Sequence, residues 1–325
     1  MTKIVIDTLG GDAGCMPIAT GVAAALAEGL DFFPVLIGPR NELLPILEQY
    51  AISPQRYEIV DADAYIRNED APTCIFGGCE DTTMVQAYHR LKTDDTCRAM
   101  VSAGNTGALL VGAICRLGLL PGLKTPALLS ALPCNGENLL CLVDCGANTE
   151  CTAEDLVRFA KMGNAFAKCY CGIDRPRVGL MSVGREAQKG TSLIRQAHEL
   201  ISRQNLNFIG NVEGCDLVSD SADVIVTDGF SGNLLLKCAE SVGKAAAALV
   251  ARYGAGIPEM EACRNALLET FDFNSRGAAT FLGPKKTVVK MHGQANADTV
   301  VSSIKQVLRL ESAGFSRAVA EELGK

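Results

Sequence analysis

The sequence predicts a doubly wound α/β fold built on a mostly parallel sheet. Short β-branched runs alternate with segments of helical periodicity for nearly all of the 325 residues. These runs are apolar throughout, and strands of that kind separated by helices are typical of a parallel sheet covered on both faces. Because no internal repeat or linker interrupts the pattern, we expect residues 1–325 to form one domain, with a helical segment at 240–275 protruding from it.

The individual elements follow from the same periodicities. Nine β-branched runs are predicted to be strands: Lys3–Asp7, Phe33–Ile37, Tyr57–Val60, Arg98–Ser102, Leu139–Asp144, Arg177–Val183, Leu206–Ile209, Asp223–Thr227 and Thr287–Met291. The segment Thr152–Tyr170 repeats apolar residues on one helical face, and Thr152 followed by Asp155 resembles a capping box at its start. Another helix opens at Pro258. Its predicted apolar face consists of Met260, Cys263, Leu267 and Phe271.

Composition excludes several classes of function. The formal net charge is -7, with no tract of Lys or Arg, and the 17 aromatic residues include no Trp. A nucleic-acid partner is therefore not expected, because phosphate backbones require a concentrated basic surface and bases stack on aromatic side chains. The longest apolar run, residues 108–123, contains Arg116 and several Gly and Pro residues, so it is not expected to span a bilayer.

The 14 cysteines bear on location and on metal binding. The chain runs from Met1 directly into a predicted strand, which predicts a cytoplasmic protein with reduced thiols. No CxxC pair occurs, and zinc or cluster sites usually show closer, repeated pairs. We therefore interpret the cysteines as small apolar core residues and expect no metal site.

Five predicted strand-to-helix turns are rich in Gly, Asn and Asp. These turns are residues 7–17, 102–109, 143–151, 183–190 and 227–237. Glycine lets backbone amides approach a ligand closely, and the start of the following helix favours an anion. Ligands of such sheets gather beyond the carboxyl ends of the strands. The turns together predict a site for an anionic small molecule, although each turn alone is equally explained by turn and helix-cap chemistry.

The usual catalytic motifs are absent, which narrows the chemistry. There is no GxSxG nucleophile elbow and no GxxxxGK[ST] phosphate loop. Gly10, Gly11 and Gly14 in the first turn do not form GxGxxG, so we expect no dinucleotide and no other cofactor. The site instead offers cations at loop ends, namely Arg185, Lys189 and Lys237. Such a site suits reactions in which positioning and electrostatics supply the catalysis, and acyl transfer to inorganic phosphate is one of them.

Seven segments carry a resemblance to a known family. They are DTLGGD, SAGNTGALLVGA, LVDCGANTEC, PRVGLMSVGREAQKG, NFIGNVEGCD, DVIVTDGFSGNLLLK and KMHGQAN. Their order and spacing resemble the PlsX family, the bacterial phosphate acyltransferases of phospholipid synthesis, over residues 3–310. The resemblance implies a cytoplasmic homodimer with a Rossmann-like αβα fold. It also implies acyl transfer from acyl-carrier protein to inorganic phosphate, giving an acyl phosphate for a membrane acyltransferase.

The resemblance also implies site residues, carried over position by position. The predicted catalytic residues are Lys189, Asn105, Asn233 and Asp144. Residues predicted to bind phosphate or the acyl donor are Asp7, Gly10, Gly11, Asp12, Ser102, Gly104, Thr106, Gly146, Asn148, Gly184, Gly190, Asp228, Gly229, Lys237 and His292. We expect Lys189 to neutralise phosphate or the developing oxyanion. Asn105 and Asn233 are both interpreted as helix-start residues that donate to phosphate or to the thioester, with simple N-capping as the alternative.

Departures from the family pattern leave alternatives open. Ala13 stands where the family usually has His, residues 75–88 lack basic side chains, and HGQAN replaces HGSS. One alternative donor is acyl-coenzyme A, as in the related phosphotransacetylases, and another interpretation is a catalytically degenerate regulator that binds acyl-carrier protein. Residues 240–272 carry three basic and five acidic side chains, so weak contact with the membrane surface is the most that we expect.

Overall fold

The computed structural model describes residues 1–134, 138–271 and 278–324. Its strands are β1 (Thr2–Asp7), β2 (Phe32–Gly38), β3 (Glu58–Asp61), β4 (Cys97–Ser102), β5 (Ala127–Pro133), β6 (Leu139–Val143), β7 (Arg177–Met181), β8 (Asn207–Val212), β9 (Val224–Val226), β10 (Ala279–Leu282) and β11 (Thr287–Lys290). Its α-helices are α1 (Met16–Ala27), α2 (Arg40–Gln49), α3 (Thr83–Thr93), α4 (Thr106–Gly112), α5 (Ala153–Phe166), α6 (Ser192–Ser202), α7 (Gly229–Tyr253), α8 (Pro258–Phe271), α9 (Ala297–Ser312) and α10 (Phe315–Gly324).

The chain divides into two compact units. The first comprises residues 1–126 and 277–324, and the second comprises residues 127–276. The single-domain prediction for residues 1–325 and the protruding segment at 240–275 stay predictions. Residues 272–275 of that segment lie outside the described residues.

In the first unit the strands follow the order β3, β2, β1, β4, β11, β10. Only the pair β10 and β11 is antiparallel; the other pairs are parallel. Helices α1 and α9 pack over this sheet, and the core between them contains Ile4, Ile6, Val22, Val300 and Ile304, all with at most 2% exposure. Parallel strands buried on both faces place their carboxyl ends, and the turns that follow, at one edge of the sheet.

In the second unit the strands follow the order β5, β6, β9, β7, β8. The pair β5 and β6 is antiparallel, and the others are parallel. The capping box at the start of α5 is confirmed, because the Thr152 side chain accepts from the Asp155 N–H while Asp155 accepts from the Thr152 N–H. Helix α5 ends at Phe166 and is followed directly by a wider helical turn over residues 167–171.

The predicted fold class is confirmed: the sheet is mostly parallel and helices flank it. All nine predicted strands are present with ends shifted by up to three residues. Strand β5 was missed because its sequence, ALLSALP, contains no β-branched residue, and it forms by pairing with β6. Strand β10 is also absent from the nine predicted strands. The predicted apolar position Cys263 on α8 is wrong, since this side chain is exposed.

Candidate active site

The strand ends of the first unit bring a buried carboxylate beside a serine. Asp7 ends β1, Ser102 ends β4, and these strands are neighbours. The Ser102 hydroxyl donates to Asp7 Oδ2 at 2.6 Å and accepts from the Gly104 N–H at 3.0 Å. Burial raises the pKa of Asp7 to about 6, against the opposing effect of the Ser102 hydrogen bond. A carboxylate, a hydroxyl and an amide thus form one chain of hydrogen bonds.

The first glycine-rich turn lies directly against the second. A Cβ on Gly10, whose φ is +89°, would come within 2.9 Å of Gly104 Cα. Only glycine permits this approach. The Asp12 N–H donates to the Gly293 carbonyl at 2.7 Å, which places the first turn beside the loop that follows β11. In that loop His292 Nδ1 accepts from the Gln294 N–H at 3.2 Å.

Both ends of the Asn105 side-chain amide form hydrogen bonds within the protein. Its Oδ1 accepts from the Ala108 N–H at 3.0 Å and so caps α4. Its Nδ2 faces the carbonyl oxygens of Arg67, Asn68 and Asp70 at 3.0, 3.1 and 3.4 Å. Thr106, the first residue of α4, is exposed. The helix-start position of Asn105 is confirmed, and this geometry supports capping and loop positioning as its role.

In the second unit, Asp144 organises the turn after β6. Its Oδ1 accepts from the N–H groups of Leu128, Gly146 and Ala147, each at 3.0 Å. Its Oδ2 accepts from the Asn148 N–H at 2.8 Å and from Asn148 Nδ2 at 2.7 Å. Burial raises the pKa of Asp144, although these hydrogen bonds oppose the shift. Because five donors surround its fully buried carboxylate, Asp144 holds the surrounding loop in place.

The start of α7 packs onto that turn. The Gly229 N–H donates to the Asn148 carbonyl at 2.7 Å, and a Cβ on Gly229 would lie 2.6 Å from the same oxygen. Asp228 caps the helix by accepting from the Ser231 N–H at 2.8 Å. The interpretation of Asn233 as a helix-start residue is wrong, because Asn233 is the fifth residue of α7 and Asp228 is the cap. Asn233 is exposed and lies beside Gly146.

Lys189 occupies the turn between β7 and α6. Its own N–H donates to the Glu186 carbonyl at 2.9 Å, its side chain is exposed, and Gly190 follows with a φ of +95°. Within the described residues, no carboxylate forms an ion pair with Lys189. The cation at Lys237, by contrast, pairs with Glu240 at 3.0 Å. Lys189 therefore remains available to an anionic ligand.

The predicted site residues form two sets, one in each unit. In the first unit, the structure brings together Asp7, Gly10, Gly11, Asp12, Ser102, Gly104, Asn105, Thr106 and His292. In the second unit, Asp144, Gly146, Asn148, Asp228, Gly229 and Asn233 form one cluster. Gly184, Lys189 and Gly190 belong to the turn after β7, while Lys237 lies two helical turns into α7.

Sequence reasoning missed two polar groups at these strand ends. Lys290, the last residue of β11, donates from Nζ to the Ala103 carbonyl at 3.3 Å, next to Ser102. Asn211 in β8 is 4% exposed and donates to the Glu186 carbonyl at 2.8 Å. Each stands at the polar end of an apolar strand, which is the signal that could have identified it.

The cysteines match their interpretation only in part. Five are buried, while Cys115, Cys215, Cys238 and Cys263 are exposed. Among residues 1–134, 138–271 and 278–324, no group of three or more His, Cys, Asp or Glu side chains is placed to hold a metal ion.

The fold is that of a doubly wound α/β protein, and solved phosphotransacylases share this fold. A branched-chain phosphotransacylase from Enterococcus faecalis is similar in structure, with a TM-score of 0.63 at 14% identity, covering 95% of this chain and 98% of that one. A phosphotransacetylase from Streptococcus pyogenes gives 0.61 at 16% identity, covering 100% and 94%. At such identities the likeness concerns the fold alone.

The sequence relatives are much closer. The family model described as "Fatty acid synthesis protein" matches residues 2–318. The phosphate acyltransferase of Thermoanaerobacter pseudethanolicus is 36% identical over 337 residues, covering 99% of this chain and 97% of the relative. That of Streptococcus thermophilus is 37% identical over 321 residues, covering 95% and 94%. The chain belongs to this fatty acid synthesis family, and it is an enzyme of the phosphate acyltransferase type.

Proposed function

We propose that this enzyme moves a fatty acyl group from acyl-carrier protein to inorganic phosphate and releases an acyl phosphate for phospholipid synthesis. The observation that carries the proposal is the relationship to phosphate acyltransferases over nearly the full length of both chains. The anion-binding character of the strand-end turns supports it independently. In these turns, glycines let backbone amides approach a ligand, and no carboxylate among the described residues forms an ion pair with the Lys189 ammonium group.

The reaction requires no protein nucleophile. A phosphate oxygen attacks the thioester carbonyl carbon, so a C–O bond forms and the carbonyl oxygen becomes an oxyanion. Collapse of this intermediate breaks the C–S bond, and the sulfur leaves as a thiolate that takes up a proton. The enzyme must neutralise the negative charge of the bound phosphate and stabilise the oxyanion. A cation and N–H donors can supply both effects.

The geometry divides the predicted residues into two roles. We assign contact with the reacting groups to Lys189 and Asn233, whose side chains are exposed. We assign positioning to Asp144 and Asn105, because the hydrogen bonds described above occupy both carboxylate oxygens of the former and both ends of the latter's amide. The remaining predicted residues of each unit shape the glycine-rich turns of that unit.

The test of the proposal compares two acyl donors that carry the same acyl chain. Purified enzyme is mixed with phosphate and either acyl-carrier protein or acyl-coenzyme A, and the released thiol is followed over time. We expect kcat/KM to be at least tenfold higher with the carrier protein. A preference for acyl-coenzyme A would overturn the donor assignment, and no turnover with either donor would indicate a regulator.

A homodimer is part of the proposal. Along α7, large apolar side chains are exposed on one side of the helix, at Phe230, Leu234, Val242, Leu249 and Tyr253, with exposures of 56% to 72%. Large apolar side chains exposed on one side of a helix are typical of an interaction site. We expect two copies of the chain to bury it, in the cytoplasm. Leu249→Glu should then yield a monomer in light scattering, whereas a wild-type monomer would contradict this assignment.

No helix among the described residues has both the length and the apolar character needed to cross a membrane. We propose weak, peripheral contact with the membrane surface at most. The charge of residues 240–272, three basic against five acidic side chains, supports this.

A further inference from the structure

The polar residues at the end of β8 form a set of tethers to the turn that carries Lys189. This turn spans residues 182–190, and it belongs to the second unit together with β8. The strands β7 and β8 end together, since Met181, the last residue of β7, pairs with Val212, the last residue of β8. The Ser182 N–H still reaches the Val212 carbonyl at 2.8 Å. The first residue of the turn is therefore hydrogen-bonded to the end of β8.

Asn211 supplies the central tether. Its Nδ2 donates to the Glu186 carbonyl at 2.8 Å, and the same carbonyl accepts from the Lys189 N–H at 2.9 Å. The bond from Lys189 closes the turn, so the oxygen that closes it is held directly by β8. Because Asn211 is only 4% exposed, its amide occupies a fixed position. A buried N–H donor costs free energy unless it is paired, which favours the bond from Nδ2 to Glu186, whereas Asn211 Oδ1 has no hydrogen-bond partner among the described residues.

A second tether holds the other side of the turn. The Arg185 guanidinium lies 2.9 Å from Asp216 Oδ1 and 3.1 Å from Oδ2, and its Nε lies 3.6 Å from Glu213. Asp216 is 3% exposed, and it also accepts from the Glu213 N–H and from Ser221. Burial acts to raise the pKa of Asp216, but these hydrogen bonds and Arg185 outweigh it, so the pKa lies below its ordinary value. Asp216 is thus a negatively charged group in a fixed position, and Arg185 forms an ion pair with it.

We infer that Asn211 is a positioning residue that sets the location of the Lys189 ammonium through the Glu186 carbonyl. The inference rests on the proposed role of Lys189 at the phosphate or the oxyanion. Lys189 has no ion-pair partner within the described residues, so its main chain, and not a carboxylate, determines where the ammonium group can reach. A displacement of about 1 Å at such a group can lower turnover by about 10²-fold.

The test is a double-mutant cycle with a matched control on the same strand. Asn211→Asp preserves shape but replaces the donor to Glu186 with an oxygen, and Asn211→Ala removes the donor without adding charge. The control is Asn207→Asp, which breaks a more exposed amide-to-carbonyl bond at the opposite end of β8, where Asn207 Nδ2 donates to the Arg175 carbonyl at 3.2 Å. Each change is made alone and combined with Lys189→Ala, and thermal unfolding checks that every variant is folded.

We expect either Asn211 change to lower kcat by about tenfold or more, with the KM for the acyl donor changed less than twofold. In the Lys189→Ala background the same changes should lower kcat less than twofold, because the group that they position is gone. Asn207→Asp should leave kcat within twofold in both backgrounds. A purely structural role predicts equal losses in the two backgrounds.

Two results would overturn the inference on its own: Asn211 variants with kcat within twofold of wild type, or an equal loss with and without Lys189. Both presuppose that Lys189→Ala itself is strongly impaired. If Lys189→Ala keeps full turnover, the failure instead lies in the role that the proposed function gives to Lys189, and the inference falls with it. The single variant therefore separates the two failures.

Discussion

Burial separates the polar side chains that hold the loops from those that can meet a substrate. Asp144 is fully buried and accepts five hydrogen bonds, whereas Lys189 is exposed without an ion-pair partner among the described residues. Both are polar residues in glycine-rich turns after a strand, so local sequence cannot distinguish them. The distinction depends on contacts such as that of Asp144 with Leu128, 16 residues away.

Lys189→Ala tests the cation of the second unit. We expect turnover to fall by about 10²-fold or more, because a group that stabilises charge in the transition state is lost, while stability is unchanged. Steady-state kinetics and thermal unfolding measure the two effects. Lys305→Ala is a suitable control, since Lys305 is an exposed lysine on α9. Turnover of Lys189→Ala within a few-fold of wild type would show that Lys189 takes no part in the reaction.

The raised pKa of Asp7 predicts how stability depends on pH. Its ordinary pKa is 3.8, and burial raises it to about 6, so the folded state binds a proton that the unfolded state has released between these values. The protonated carboxyl therefore contributes stability that is complete below about pH 4 and is lost as pH rises through about 6, up to about 3 kcal/mol.

Asp7→Asn isolates this contribution. The free energy of unfolding, measured by urea denaturation from pH 4 to pH 7.5, should fall more steeply with rising pH in the wild type than in the variant. Comparing the two proteins cancels the other titrating groups. Parallel curves would show that Asp7 ionises in the folded state as it does in the unfolded chain.

At the level of elements, helix starts and strand ends are where sequence prediction succeeded and where it failed. The Thr152–Asp155 capping box was predicted correctly because it depends on residues three apart. Strand β5 was missed because it has no β-branched residue and depends on pairing with β6. Asn105 and Asn233 both follow a glycine near a strand end, but of these two only Asn105 caps a helix. Asp228, five residues before Asn233, caps α7.

Asn→Asp at these two positions should give opposite results. Asn105→Asp keeps the cap oxygen but turns the other oxygen toward the three carbonyls of the 67–70 loop, so we expect a loss of about 1–3 kcal/mol in stability. Asn233→Asp lies in the exposed second turn of α7, so stability should change by less than about 0.5 kcal/mol, while turnover at saturating phosphate falls through repulsion.

Denaturant titrations and initial rates on the same preparations measure both quantities. Wild-type turnover in Asn233→Asp would exclude contact between Asn233 and phosphate. Unchanged stability in Asn105→Asp would show that the bonds to the 67–70 loop contribute little.

For the whole molecule, the alternation of apolar strands and helices was sufficient to predict the mostly parallel sheet. The sequence could not predict the division into two compact units, because no change in composition marks residues 126 and 277. The Gly, Asn and Asp content indicated the strand ends that the five turns follow, although residues 229–237 of the last predicted turn form the start of α7. The sequence did not identify Asn211, because the hydrogen bond from Asn211 in β8 to the Glu186 carbonyl in the turn after β7 joins residues that are 25 apart in sequence.

Charge determines the expected behaviour at membranes. Residues 240–272 carry two more acidic than basic side chains, and each basic residue near a surface contributes only about 1 kcal/mol toward anionic lipid. Any binding must therefore rest on apolar area, so co-sedimentation with vesicles should be weak and should not change with anionic lipid content or with salt. Binding that rises steeply with anionic lipid and collapses in high salt would contradict this expectation.

The most direct test of the account follows the oxygen atoms of phosphate. Purified enzyme is incubated with long-chain acyl-carrier protein and phosphate labelled with ¹⁸O at all positions, and the products are analysed by mass spectrometry. We predict release of the free carrier thiol together with an equal amount of a hydroxylamine-reactive acyl phosphate that retains all the label, because a phosphate oxygen forms the new bond to the acyl carbon. Thiol release with only unlabelled fatty acid would instead show that water is the nucleophile.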